Sequence, residues 1–318
     1  MTAAVADRAT TPGTAAAPPN RSTLSASARR TVRRRRRRVA LLTAPSWLML
    51  AAVFATPIVV GVYLSTRSDK IGGFVPGRGV GLDNFRRDVL DRSFLVALTT
   101  TLIITAIGLA IQLPVGIGLA LLLHRNLRGT RLFRTVLLLP MLLTPVAVGL
   151  MWRFMLDTDL GVINWMLDSV GLSRIGWLGE KWAARISIAL VDSWQSIPFV
   201  MLMTLAALST LPEGPHEAAR VDGATTWRVF RFVTLPMLRP VLYVTLMIRL
   251  VDSLKIFDII FILTRGAPGR ATQTIGLLTY DTGFNFLETG RAAALGVAIA
   301  VLTLPVYVLW MRAQRASR

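Results

Sequence analysis

Arg249, Asp252, Lys255 and Asp258 recur at every third position of a stretch that is otherwise apolar. Charge is costly in hydrocarbon, so side chains of this kind face a bundle interior or a water-filled cavity. The spacing puts them on nearly one helix face, where Arg249 can pair with Asp252, and Lys255 with Asp252 or Asp258. Two roles fit: a self-neutralising ladder that fixes helix register, or a polar lining that hydrogen-bonds ligand hydroxyls beside Phe257 as a stacking surface. A second group, Asp192, Trp194 and Gln195, stands just before Pro198. A flat apolar face with planar donors and acceptors is what a carbohydrate site needs, and Trp194 with Gln195 offers both; internal packing is the competing role. The candidate ligand-lining residues are therefore Asp192, Trp194, Gln195, Asp252, Lys255, Phe257 and Asp258.

Other chemistry is excluded by composition. The chain has no cysteine, hence no disulfide, thiolate nucleophile or thiolate metal site. Its two histidines, His124 and His216, are far apart, and neither sits at metal-ligand spacing. A P-loop needs Gly-Lys-Ser or Gly-Lys-Thr, but none of the three lysines, Lys70, Lys181 and Lys255, follows a glycine. With no catalytic constellation, the chain is not expected to be an enzyme or to bind a metal or nucleotide cofactor itself.

A polar loop, residues 209–237, separates two long apolar runs. Pro215 suits the first turn of a helix that continues through Glu217, Ala218 and Ala219, the alanines leaving a flat surface open to close approach. Asp222-Gly223 predicts a turn. A second helix at about 225–233 would place Trp227, Phe230 and Arg231 on one side, with Leu235-Pro236 stopping it. Such a helix–turn–helix fits an element that contacts another protein in the aqueous phase, or a packing element within this one.

The elements that must position these residues are helices in a bilayer. The 318 residues are 53% hydrophobic with a mean hydropathy of +0.56, well above a soluble domain. Six stretches are long enough to span: 40–64, 95–123, 132–155, 186–208, 238–263 and 290–311. Gly108, Gly116 and Gly118 suit close helix packing, and Pro140, Pro145 and Pro198 predict kinks or breaks. Net charge is +19; residues 1–38 carry ten basic residues and one acid, with Arg33–Arg38 unbroken. A basic cluster directly before an apolar span reads as a positive-inside anchor on anionic lipid rather than a nucleic-acid site. The first span is too long for a signal peptide. The three outer loops hold 12 basic and 10 acidic residues, whereas the inner segments are strongly cationic, so both termini are expected inside. Trp165, Trp177 and Trp182 fall where an outer aromatic belt would lie, and Trp47 and Trp310 near the inner side; Arg153 and Trp152 are expected as interfacial anchors. Residues 81–90 and 160–170 predict short amphipathic outer helices. The domain reading is a disordered basic tail, 1–38, and a transmembrane domain, 39–318, that includes the loop 209–237.

Glu217-Ala218-Ala219, three residues, Gly223, nine residues, the aliphatic Val233, one residue, then Leu235-Pro236 resembles the signature of permease subunits of binding-protein-dependent ABC importers. Valine stands at 233 where isoleucine is usual. Asp252 through Asp258, then Leu263-Thr264-Arg265-Gly266-Ala267-Pro268, resembles the fifth-span ending of maltose-type carbohydrate permeases, with Arg265 and Ala267 departing from its glycines. The resemblance covers about residues 40–312 and is closest to the first of two permeases, the type that takes up sugars, polyols or glycerol phosphates. It implies an all-α fold, six transmembrane helices with a cytoplasmic coupling helix, the type I ABC importer fold. It implies a bacterial inner-membrane protein and alternating access. Implied partners are a second homologous permease, a dimer of P-loop ATPases carrying ATP and Mg, and an extracytoplasmic sugar-binding protein; membrane lipid is expected and nucleic acid is not. Glu217, Ala218, Ala219, Asp222, Gly223, Leu235 and Pro236 would carry ATPase coupling. An ion-coupled secondary transporter using the charged fifth span is the alternative.

Overall fold

The computed structural model describes residues 26–70, 77–125 and 129–316. It is helical, and among these residues the β-structure is one isolated antiparallel bridge, Arg67 to Gly79. The helices are α1 (Ala26–Ser65), α2 (Asp83–Asp88), α3 (Arg92–His124), α4 (Thr130–Leu142), α5 (Pro145–Met155), α6 (Val162–Ser169), α7 (Lys181–Leu208), α8 (Gly214–Val221), α9 (Thr226–Val229), α10 (Leu235–Leu254), α11 (Asp258–Leu263), α12 (Ile275–Tyr280) and α13 (Thr289–Ala316). π-helical turns at Phe230–Thr234 and Asp281–Asn285 lead into α10 and out of α12. The chain forms two compact units that meet within α1: one reaches Ile58, the other runs from Val59.

α1 begins at Ala26, so residues 26–38 are helical where the sequence predicts a disordered tail. The arginine run contains no glycine or proline, and arginine is a good helix former, so the span's helix propagates back through it. Residues 1–25 lie outside the described residues, as does the Trp310 side chain.

Among the described residues, four helical stretches are long and apolar enough to cross a membrane: Leu42–Ser65, Arg92–His124, Lys181–Leu208 and Thr226–Leu254. The predicted third span is instead two helices, α4 and α5, meeting at 97°. Pro145 causes the break: it holds Thr144 extended (φ −68°, ψ 142°), and the Thr144 hydroxyl then caps α5 by accepting from the Ala147 N–H. Pro114 and Pro198 end neither α3 nor α7. The last span corresponds to α13, whose apolar stretch Thr289–Pro305 is shorter.

The predicted fifth span, 238–263, is corrected at both ends. It stops at Leu254; Lys255, Ile256 and Phe257 leave the helix and α11 starts afresh at Asp258. At its other end Leu235-Pro236 does not stop a helix but continues one. The π-turn shifts the hydrogen bond of the Leu235 N–H to the Phe230 carbonyl, five residues back. The widened turn accommodates the proline ring and its missing donor, so helix runs from Thr226 to Leu254.

The centre of the second unit is the pair α3 and α7. A Cβ on Gly116 would lie 2.6 Å from Val200, so only glycine permits this approach. Around the pair, Ile104, Val148, Ile188 and Ile260 form one buried cluster, and Ala120, Leu123, Met201, Leu205 and Leu238 another. α2 turns a polar face inward, burying Asn84 and Asp88 while Leu82 and Leu90 stay exposed. Asn84 donates to the Ser65 and Arg67 carbonyls, and Asp88 pairs with Arg291 of α13.

Candidate functional site

A cavity of about 480 Å³ opens where α7, the end of α10, the start of α11 and the α4–α5 break converge. It collects six of the seven predicted lining residues: Asp192, Gln195, Asp252, Lys255, Phe257 and Asp258. Its polar wall is a knot across three helices. The Arg249 Nε donates to the Gln112 Oε1 at 3.0 Å, and its Nη2 lies 3.2 Å from the Asp192 Oδ2. The Gln112 Nε2 donates to the same Asp192 oxygen at 2.8 Å. Arg249 and Asp192 are 10% and 15% exposed, and Gln112 is fully buried. Removing two charges from water is costly, and the shared hydrogen bonds of Gln112 are what offset it.

The expected three-residue ladder is therefore only partly formed. Arg249 and Lys255 both reach Asp252, at 3.7 Å, but Arg249 has its closest carboxylate on α7 rather than on its own helix. Asp258 has no hydrogen bond or ion pair among the described residues and stands exposed on the cavity wall. The break at 255–257 removes the helical register on which a Lys255–Asp258 pair depended. Gln195 donates to the Leu143 carbonyl at 2.8 Å, satisfying an acceptor that the α4–α5 break leaves without an intrahelical partner. Phe257 stacks on Phe261, centroids 5.3 Å apart, and lies 5.1 Å from Tyr280, so part of its surface is taken within the chain.

Trp194 lies elsewhere. Successive helical residues are rotated by about 100°, so Trp194 cannot share a face with Gln195. It packs edge-on against Trp152 at 5.7 Å and lines a separate, mostly apolar cavity of about 330 Å³ with Ile111 and Trp177. Trp152 is thus a packing residue, while Arg153 donates to the Ile262 carbonyl and ties α5 to α11. Trp165 and Trp182 are exposed, but Trp177 turns inward and donates its indole N–H to Asn164. Backbone N–H groups of Leu160 and Asp159 hold the Asp157 carboxyl below the usual carboxylate range and close the turn before α6.

The second feature is the surface of residues 209–237. α8 places Pro215 in its first turn and buries none of its residues. Glu217 and Ala218 are exposed, and Val221 is 87% exposed. The helix ends in a Schellman motif: the Ala224 N–H bonds to the Ala219 carbonyl and the Gly223 N–H to that of Arg220. Gly223 takes φ +74°, the left-handed conformation that the motif requires. Trp227 and Phe230 contact each other at 5.5 Å, as their spacing predicts, and Trp227 remains 65% exposed.

Sequence reading passed over Gln112, the hub of the knot, although a lone amide within a 33-residue apolar helix is itself a signal. It also passed over Arg185, which is buried near the start of α7 and donates to the Ala271 carbonyl and the Thr100 hydroxyl. No group of metal-ligating side chains occurs among the described residues.

Residues 112–317 match the family model described as "Binding-protein-dependent transport system inner membrane component". The "Trehalose/maltose transport system permease protein MalF" of Thermococcus litoralis is 31% identical over 279 residues, which cover 87% of this chain and 94% of that one. The "Trehalose transport system permease protein SugA" of Mycobacterium tuberculosis is 34% identical over 262 residues, covering 81% and 82%. Among solved structures, a chain of "a bacterial ABC transporter involved in the import of the acidic polysaccharide alginate" superposes with a TM-score of 0.71 at 25% identity, covering 88% of this chain and 99% of that one.

Proposed function

The chain belongs to the family of inner membrane components of binding-protein-dependent transport systems, and from that premise we propose that it is a permease subunit of an ATP-driven carbohydrate importer. The observation that carries this reading is α8: an exposed helix, ended by a left-handed glycine and carrying Glu217, Ala218 and Ala219, at the foot of the helix that ends in the charged cavity. Among the described residues, Glu217, Ala218, Arg220 and Val221 of α8 remain exposed. A P-loop is absent from the sequence, so ATP and Mg belong to a separate ATPase dimer, against which Glu217, Ala218, Ala219, Asp222 and Gly223 would dock. Leu235 and Pro236 contribute from the π-turn, by letting the helix continue upward from this surface.

Sugar or polyol is the substrate class favoured by relatives named for trehalose and maltose transport and by a cavity rich in hydrogen-bonding groups. Asp252, Lys255 and Asp258 would meet hydroxyls, while the Arg249–Asp192 pair holds the wall. A second permease would complete the path, and an extracytoplasmic binding protein would deliver the sugar. Both termini face the cytoplasm, which puts α8 on the ATPase side. Closure of the ATPase dimer would then rock the two permeases as rigid bodies. The ion-coupled alternative finds no support: its charged residues are mostly paired, and the chain's relatives are ABC permeases.

The test is affinity purification of the full chain from native membranes in mild detergent, with mass spectrometry and an ATPase assay. Recovery of a second six-span permease and a P-loop ATPase is expected. Recovery of the chain alone, without hydrolysis, would overturn the proposal.

A further inference from the structure

α8 is loosely held. It buries no residue, and its packing neighbours are α9 and the π-turn. Among the described residues, one side-chain hydrogen bond ties it to the helix that runs from Thr226 to Leu254: the His216 Nε2 lies 3.1 Å from the Thr234 Oγ1. The other ring nitrogen, Nδ1, lies 3.3 Å from the Pro212 carbonyl. A carbonyl only accepts, so Nδ1 carries the proton; the Thr234 hydroxyl has one proton for two acceptors, and in the neutral ring Nε2 at 3.1 Å is nearer than the Val229 carbonyl at 3.4 Å. His216 thus spans from the chain entering α8 to the π-turn. Thr234 is buried at the base of α10, and the same helix carries Arg249 of the cavity knot.

We propose that His216 is a positioning residue for coupling: its bond to Thr234 makes α8, the π-turn and α10 move as one body, so that displacement of α8 reaches Arg249. The proposal rests on the reading of α8 as the ATPase contact. Without the bond, α8 would pivot on the Schellman turn and the loop at 209–213, and its motion would be lost before α10.

The chain has no cysteine, so two introduced cysteines are unique spin-label sites in it. Gly214→Cys places a label on α8 where a Cβ meets nothing within 4 Å, and Ile248→Cys one on an exposed position of α10. The 214–248 distance is measured by pulsed EPR in the native complex, nucleotide-free and with ATP trapped by vanadate. The parent is expected to keep one distance in both states. His216→Ala, and independently Thr234→Val, should add a second, nucleotide-dependent distance, its population rising about fivefold for one lost hydrogen bond. His216→Gln, which keeps a hydrogen-bonding tip, should restore the parent pattern. A parent distance that changes with nucleotide, or an unchanged distance in both His216→Ala and Thr234→Val, would overturn the positioning role alone. Purification of the chain with no ATPase would overturn the coupling reading beneath it.

Discussion

Gly223 and Glu217 stand in the same loop but fail for different reasons when replaced. At Gly223 a Cβ would meet open space, so the cost is conformational: an L-residue in the left-handed region loses about 1–2 kcal/mol, and a β-branched one more. If α8 is the ATPase contact, Gly223→Val should abolish uptake while membrane insertion stays intact, as should Glu217→Lys by reversing the charge of the docking surface; normal sugar uptake by both variants would remove the coupling role. The cavity knot makes a stability prediction. Arg249→Ala leaves Asp192 buried without its cation, which costs about 3–5 kcal/mol when one partner of a buried pair is removed. Gln112→Leu removes a donor to Asp192 and an acceptor for Arg249, at about 1–3 kcal/mol. Thermal unfolding in detergent should rank Arg249→Ala below Gln112→Leu, and both below the parent; an unshifted Arg249→Ala would mean that the pair is dispensable.

The helices α3 and α7 depend on closeness at one point. Gly116→Val would drive a side chain into Val200, and overpacking of this kind costs about 1–3 kcal/mol. Gly118→Val, on roughly the opposite side of the helix from Gly116 and free of neighbours within 4 Å, is the control and should unfold like the parent. Equal melting of the two variants would show that the close approach is not limiting. The break between α4 and α5 and the π-turn before α10 are both proline effects, yet they have opposite results. Pro145 ends one helix and starts another, whereas Pro236 is absorbed by a wider turn and the helix runs on. The two outcomes differ because Thr144, before Pro145, is extended and provides a cap, while Leu235, before Pro236, keeps helical dihedrals.

For the whole molecule the prediction is topological. If the termini and α8 are cytoplasmic, Gly214→Cys should react with a membrane-impermeant maleimide only in inside-out vesicles, and Leu160→Cys, which is 91% exposed, only in right-side-out ones. The reverse pattern would place α8 where no cytoplasmic ATPase can reach it. The same orientation sets the direction of transport, because the surface for the energy source and the loops for substrate delivery must lie on opposite sides of the cavity.

Composition and one twenty-residue spacing determined the class of this protein: a helical membrane chain of the transport-permease family, with an exposed helix and glycine turn in its polar loop. Those features were legible because hydrocarbon demands long apolar helices and because a turn that needs positive φ selects glycine at 223. Most of the cavity's residues were legible too, since charge within an apolar run requires a polar neighbourhood. Only the tertiary structure decided their partners. Gln112, Asp192 and Arg249 are 80 and 57 residues apart along the chain and meet because α3, α7 and α10 pack together. Local spacing found Asp252 but not the nearer carboxylate of Asp192 for Arg249, and it put Trp194 beside Gln195. Contacts between helices are set by side-chain volume and close approach at points such as Gly116 and Val200, and no periodicity within one helix encodes them.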